Sequence, residues 1–372
     1  MKRLIGLLCN PFCKIRGKEM FLKINEWYHP VLSSAGAEKT RNYYLDNLKF
    51  VLITFVAISH FALQLTYVDD IKYLVHFIYL FHMPCFIFIN GFLAKRMNGG
   101  GRLRADKIMV IFLMYLVFKF GDVLLDILFG RKGDLDLFED SNAPWYLLAL
   151  CIWYLSVPFL ERVKPAFLIA GSLCAGVMAG YISHVDDVLA LSRVFVFFPF
   201  FIIGFCLPGK TLEDFLDKKL RIPAILIMVA VGLSIALFWE ELSPMKNIVY
   251  GASPYSESLK GLAEYGLFIR ALWYLLSLLV SMSLMLLVPR CKLFFSVLGE
   301  RTMQVYMTHI WIRNALAYAG FFAAVKEGPR LLAAGVLLGS VLLTFLLANK
   351  WLKLLFDLLM SPKLFARFLK EE

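Results

Sequence analysis

The sequence predicts an all-α polytopic membrane protein with about ten transmembrane helices and both termini cytoplasmic. Three observations predict it. Of 372 residues, 60% are apolar and only 18% charged, with a mean hydropathy of +0.70; a soluble domain holds about 45–50% and about 25%. The apolar residues fall in long runs, not in the alternation of barrel strands. The net charge of +11 gathers at the ends of those runs, which fits the positive-inside rule better than a nucleic-acid surface. A disordered chain and an ordinary soluble domain are excluded, and no nucleic-acid partner is expected.

Ten apolar runs lie at about 50–67, 71–94, 108–129, 144–160, 166–182, 191–207, 222–239, 267–288, 303–323 and 331–356. Backbone cannot stay unpaired in lipid, so each run reads as a helix. With the N-terminus inside, and counting Lys72, Lys350 and Lys353 at the ends of runs with the adjoining segments, the inner segments hold 28 of the 39 Lys and Arg residues, and the outer ones seven. Lys119, Arg193, Arg270 and Arg313 lie within runs. The outer loops carry acids instead: Asp69, Asp70, Asp134, Asp136, Glu139 and Asp140. Residues 1–40 read as a cytoplasmic or membrane-surface segment, 41–357 as the transmembrane domain and 358–372 as a basic cytoplasmic tail. The seven cysteines, among them Cys9 and Cys13, have no matching partner cluster, so neither a disulfide framework nor a metal site is expected. Leu4 to Leu8 is too short for a signal-peptide core. Asn98 to Gly101 reads as a flexible turn.

Ionisable groups in lipid are costly, which makes each a candidate for function. His60 follows Lys49 by eleven residues, about 16 Å and almost three whole turns along a helix. The two therefore share a face, with His60 near mid-membrane. His82 has a similar depth in the second run, and Pro84 beside it should kink the helix or free a carbonyl. Asn90 follows near the inner surface. His76, nearer the outer face, needs only an interfacial role. Lys119, Asp122 and Asp126 share a face in the third run, where Lys119 and Asp122 are spaced to pair. Tyr306, His309 and Arg313 share one in the ninth. Three mid-depth histidines suit proton transfer near neutral pH, in a transferase or in a proton-coupled transporter. The basic cluster Lys95, Arg96, Arg102, Arg104 and Lys107 reads either as a topological anchor or as a site for a polyanion such as coenzyme A. Trp145 and Tyr146, opening the fourth run at the outer surface, read as interfacial belt residues or as a sugar-stacking platform.

Four segments resemble the acyltransferase 3 family of bacterial membrane proteins, and within it the fucose 4-O-acetylase-like branch. Tyr44 to Lys49 leading to His60 is similar to the family's Arg/Lys, ten residues, His motif. Phe81-His82-Met83-Pro84 through Asn90-Gly91-Phe92 resembles its Met-Pro, aromatic, Ser-Gly segment, with Asn90 in place of Ser. Arg104-Ala105-Asp106-Lys107 resembles its Arg-x-x-Arg, ending in Lys. Leu298-Gly299-Glu300-Arg301-Thr302 through Tyr306 and His309 resembles its C-terminal Gly, polar, Tyr and His pattern. The likeness spans about Arg41 to Lys353.

The resemblance implies an integral-membrane O-acyltransferase of the bacterial inner membrane. It would take an acetyl group from cytoplasmic acetyl-coenzyme A, the donor substrate, to a sugar hydroxyl of an envelope glycan or lipid-linked precursor, with no metal. His60 is then the candidate general base, and Lys49 binds an anionic part of the donor. Arg102, Arg104 and Lys107 hold its phosphates. His82, Asn90, His309 and Trp145 orient substrates. Direct transfer is preferred to an acetyl-His60 intermediate because no second group is evident to activate the histidine. A proton-coupled glycolipid transporter or flippase is the alternative. Lipids surround the protein, and the sequence leaves room for a homo-oligomer.

Overall fold

The computed structural model describes residues 41–99, 102–137, 143–182, 189–208, 212–259 and 261–361. Residues 1–40 with Cys9 and Cys13, Gly100 and Gly101, Glu139 and Asp140, and the tail from 362 lie outside the described residues. So do the side chains of Arg96 and Arg102. Among the described residues the regular structure is helical, apart from a two-residue antiparallel hairpin, β1 Asn98–Gly99 against β2 Arg102–Leu103, at the expected turn.

A helix stands at each of the ten apolar runs. The principal helices are α1 Tyr43–Ala62, α2 Asp69–Tyr79, α3 His82–Ala94, α4 Ala105–Leu128, α5 Trp145–Leu160, α6 Pro165–Met178, α7 Leu191–Cys206, α8 Arg221–Leu237, α9 Gly266–Leu287, α10 Thr302–Tyr318, α11 Arg330–Leu347 and α12 Lys350–Leu359. Six helical stretches are long and apolar enough to cross a membrane: Tyr43–Leu65, Asp69–Ala94, Ala105–Leu128, Lys218–Leu237, Ala263–Leu287 and Arg330–Leu347. The helices at Trp145–Leu160, Pro165–Tyr181 and Leu191–Cys206 are apolar but shorter. Apolar stripes face outward. On α11, Leu331, Leu338, Leu342 and Leu346 are exposed on one face, as a lipid-contacting helix requires.

The first helix begins seven residues before the apolar run because its polar start is buried. Asn42 caps it, its Oδ1 accepting from the Leu45 amide at 2.9 Å. The Asn47 amide donates to the carbonyls of Pro289 and Cys291, and its Oδ1 accepts from Ser296 Oγ at 2.6 Å. Gly299 sits against the Asp46 backbone, where a Cβ would lie 2.1 Å from the Asp46 oxygen. Glu300 pairs with Arg41, which also pairs with Asp46. The family-like segment at 298–302 thus joins α10 to the start of α1.

The second run breaks at Leu80 and Phe81, four and three residues before Pro84, whose ring nitrogen cannot donate to the Leu80 carbonyl. His82 Nδ1 bridges the break, donating to the Ile78 carbonyl at 2.8 Å. Ser281 of α9 donates to the Phe81 carbonyl at 3.4 Å. Helices α3 and α7 then cross at backbone contact. A Cβ at Gly91 would lie 2.0 Å from the Phe201 oxygen, and one at Gly204 2.1 Å from the Phe88 oxygen.

Two expectations need correction. Trp145 and Tyr146 do not start their helix at the outer surface. After α4 the chain turns at Gly130 (φ +69°) and runs back along the helix. Gly133 lies against Val123 and Ile127, and the Leu137 carbonyl accepts from the Tyr115 hydroxyl at 3.0 Å. Tyr115 stands 13 residues before the end of α4, roughly 15–20 Å inside it. Helix α5 therefore starts deep in the bundle. The tenth run, read as continuous over 331–356, is two helices. Asn349 caps α12, accepting from the Leu352 amide. Side chains of the α10 region take the freed carbonyls: Arg301 holds that of Ala348 at 2.6 Å, and Gln304 those of Leu347 at 2.6 Å and Asn349 at 3.0 Å.

Candidate active site

On α1, residues 49, 53, 56 and 60 fall on one face. Lys49, Ile53 and Val56 line a cavity of about 140 Å³ together with Met83, Phe86, Asn90 and Leu93 of α3, Tyr146, Leu147 and Leu150 of α5, and Met303 and Tyr306 of α10. Its walls are apolar and its polar groups sit at a few points. Lys49 Nζ is 3.0 Å from Asp46 Oδ1 at one end. The Asn90 amide donates to the Tyr146 hydroxyl and to the Phe86 carbonyl at 3.0 Å, while its Oδ1 accepts from Tyr154 at 3.3 Å. Tyr306 donates to the Ala143 carbonyl.

His60 lies one turn beyond Val56, and His309 nearly one turn beyond Tyr306. The two rings meet: His60 Nδ1 is 2.9 Å from His309 Nε2, with centroids 5.2 Å apart and planes 10° from parallel. The hydrogen positions follow from the next bond. His309 Nδ1 is 2.7 Å from the Val305 carbonyl, which can only accept, so Nδ1 carries the proton. In a neutral ring His309 Nε2 is then the acceptor, and His60 Nδ1 donates to it. His60 is left with its Nε2 lone pair for a third group, and it is part-exposed whereas His309 is wholly buried. A histidine oriented through one nitrogen and basic at the other is the arrangement of a general base.

The remaining residues divide by place. His82 is buried, bonded to Ile78, with its ring 4.7 Å from that of Tyr79. Its Nδ1 therefore holds the helix break. Trp145 stacks on Phe197 at 5.2 Å, with the Arg193 guanidinium 5.6 Å from its ring. Arg104 lies outside the cavity at the start of α4. Its Nε and Nη2 reach the two Asp106 oxygens at 3.2 and 2.8 Å, and this hydrogen bonding holds the guanidinium further above its ordinary pKa. Lys107 follows on the same first turn. Tyr306, which lines the cavity, and Tyr154, which bonds to Asn90 behind it, were not expected as site residues. Only Tyr306 carried a signal, its spacing to His309.

A family model described as an acyltransferase domain, that of the acyltransferase 3 family, matches residues 42–349. The chain belongs to this family and is a membrane acyltransferase. No curated protein and no solved structure matches it.

Proposed function

We propose that the protein transfers acetyl from cytoplasmic acetyl-coenzyme A to a sugar hydroxyl of a cell-envelope glycan or lipid-linked precursor, in a bacterial inner membrane. In this reading the ten apolar runs make ten crossings, the fourth completed by the returning segment before α5, and both termini are cytoplasmic, as the 28-to-seven distribution of basic residues supports. The likeness to the fucose 4-O-acetylase-like branch, carried by the four segments together, supports a sugar hydroxyl as acceptor. The observation that carries the mechanism is the His60–His309 contact, about one helical turn beyond Val56 and Tyr306 of the Lys49 cavity.

The donor's thin acyl-bearing arm suits an apolar cavity with isolated polar groups at Asn90, Tyr146 and Tyr306. Lys49, Arg102, Arg104 and Lys107 would meet the donor's anionic end, and Arg104 would exchange Asp106 for phosphate. His60 Nε2 takes the acceptor hydroxyl proton as the oxygen attacks the thioester carbonyl. The C–O bond forms, the C–S bond breaks, and the proton passes to the departing thiolate. The products are an O-acetyl sugar and free coenzyme A. While His60 is cationic, its Nδ1–H···His309 bond becomes charge-assisted. His309 also supplies a neighbour that can activate His60 as a nucleophile, so direct transfer has no advantage on that ground. Direct transfer and an acetyl-His60 intermediate both fit the dyad.

Purified protein given acetyl-coenzyme A and an envelope glycan should release thiol only with acceptor present, and the His60→Gln protein should not. Gradient-dependent glycolipid uptake without thioester loss would establish the transporter reading instead. Rapid quench with labelled donor and no acceptor separates the two chemical routes, since only the covalent one puts label on His60.

A further inference from the structure

The polar hydrogens of Asn90 and Tyr306 on the cavity wall already have acceptors. Tyr306 gives its proton to the Ala143 carbonyl, which can only accept. Asn90 is fixed by the same logic. The Phe86 carbonyl lies 3.0 Å from its side chain, so the amide NH2 and not the amide oxygen faces that carbonyl. The second amide proton goes to the Tyr146 hydroxyl oxygen, and the amide oxygen accepts from Tyr154 at 3.3 Å. Both amide protons of Asn90 are therefore committed. Because the Tyr146 oxygen accepts from Asn90, its own proton is left for a further group. Among the described residues Tyr146 donates to none. It is only 9% exposed and lines the cavity, and a buried donor without an acceptor costs free energy unless a ligand supplies one. The ring that carries the hydroxyl is held by edge contacts to Trp145 and Tyr306, with centroids 6.0 and 5.8 Å away. The Ala143 carbonyl that Tyr306 holds stands three residues before Tyr146, so Tyr306 also fixes the start of α5.

We infer that Tyr146 recognises the arm of the acyl donor, its hydroxyl donating to one amide carbonyl of the pantetheine chain while Asn90 sets the direction of the hydroxyl. This role rests on the acetyl-coenzyme A reading and adds to it the residue and the donor atom that meet. The surroundings select the partner. Ile53, Val56, Met83, Phe86, Leu147 and Leu150 make the wall apolar, so the ligand there must be largely apolar with an isolated acceptor. A thread of methylenes interrupted by amides meets that demand. A sugar, with a hydroxyl on most of its carbons, would leave several polar groups unpaired. The thioester carbonyl is a different oxygen. A donor to it must stand about 2.7–3.1 Å from the developing oxyanion, which forms beside His60. The ring of Tyr146 contacts Trp145 and Tyr306 and neither histidine. Tyr146 therefore holds the donor in register and takes no part in bond making.

The test uses the full chain in nanodiscs and displacement of radiolabelled coenzyme A, with no transfer required. The competitors are coenzyme A and two analogues, each with one arm amide replaced by two methylenes. One analogue should bind the wild-type protein at least about fivefold more weakly than coenzyme A, as loss of a buried hydrogen bond requires, and its position names the amide. Tyr146→Phe keeps the ring contacts and removes one oxygen. It should weaken coenzyme A at least about fivefold and change the affinity for that analogue less than about twofold, since the bond is already missing there. A purely structural Tyr146 would weaken all three ligands alike, and that result overturns the inference. So does undiminished coenzyme A affinity in folded Tyr146→Phe. If that variant does not fold, equal binding of coenzyme A and both analogues to the wild-type protein overturns it instead. Wild-type protein that retains no coenzyme A removes the donor reading itself, and this role with it.

Discussion

At the scale of single residues, the chemistry rests on which histidine nitrogen is basic. His60→Gln keeps hydrogen bonding but cannot take a proton near neutral pH. It should lose the general-base contribution of about 10²–10⁴-fold in kcat while eluting as a folded, monodisperse protein on detergent chromatography. In the proposed transfer His309 acts through His60, as a positioning residue. His309→Ala should lower kcat with the KM for acetyl-coenzyme A unchanged. His309→Gln, whose side-chain oxygen can accept from His60 Nδ1, should recover part of the loss; a purely structural His309 would show reduced melting temperature and no such split. On the donor side, Arg104→Ala or Lys107→Ala should raise the KM for acetyl-coenzyme A by about 10- to 150-fold, the equivalent of about 1.5–3 kcal/mol for a charged hydrogen bond. Asp106→Asn frees Arg104 from its carboxylate and should lower that KM. Equal effects on donor and acceptor would make the cluster a topological anchor.

At the scale of helices, what was legible followed from fixed helical geometry. Eleven residues make three turns in any α-helix, so the shared face of Lys49 and His60 was readable, and Pro84 announced the break before it. The meeting of His60 with His309 was not, because residues 249 apart are joined only by how the bundle closes. Depth was misjudged for Trp145 because hydropathy counts apolar residues without saying at what level a run begins. The break after Leu347 was hidden because the carbonyl acceptors it exposes are satisfied by Arg301 and Gln304 of a different helix. The crossing of α3 and α7 yields the element-level prediction. No side chain fits at Gly91 or Gly204, where a Cβ would meet backbone oxygen at 2.0 or 2.1 Å, and such crossings depend on small residues. Gly91→Ala and Gly204→Ala should abolish or sharply reduce folded protein in thermal unfolding, at a cost of at least about 1–3 kcal/mol. Gly171→Ala and Gly339→Ala, which open onto empty space, should be neutral or stabilising by that assay.

At the scale of the whole molecule, the proposed transfer requires donor and acceptor to reach His60 from opposite ends. The Lys49 cavity supplies one approach. The other runs along the returning segment after α4, where Arg131, Lys132, Asp134 and Asp136 are exposed although the chain there lies alongside the helix as far in as Tyr115. Non-helical backbone and charged side chains at that depth are tolerated only beside water or protein, so this flank should be a hydrated vestibule. Phe120, at comparable depth on α4 and 54% exposed, should face lipid instead. In a cysteine-free background, a membrane-impermeant maleimide added to intact cells should label Asp136→Cys and leave Phe120→Cys unlabelled, since maleimide needs a hydrated thiolate. Arg104→Cys should react only after the membrane is permeabilised. Labelling of Arg104→Cys in intact cells with Asp136→Cys protected would invert the topology and put the basic cluster on the wrong side for a cytoplasmic donor. Protection of Asp136→Cys on both sides would mean that the segment packs against lipid or protein, and the acceptor would then have to enter laterally from the bilayer.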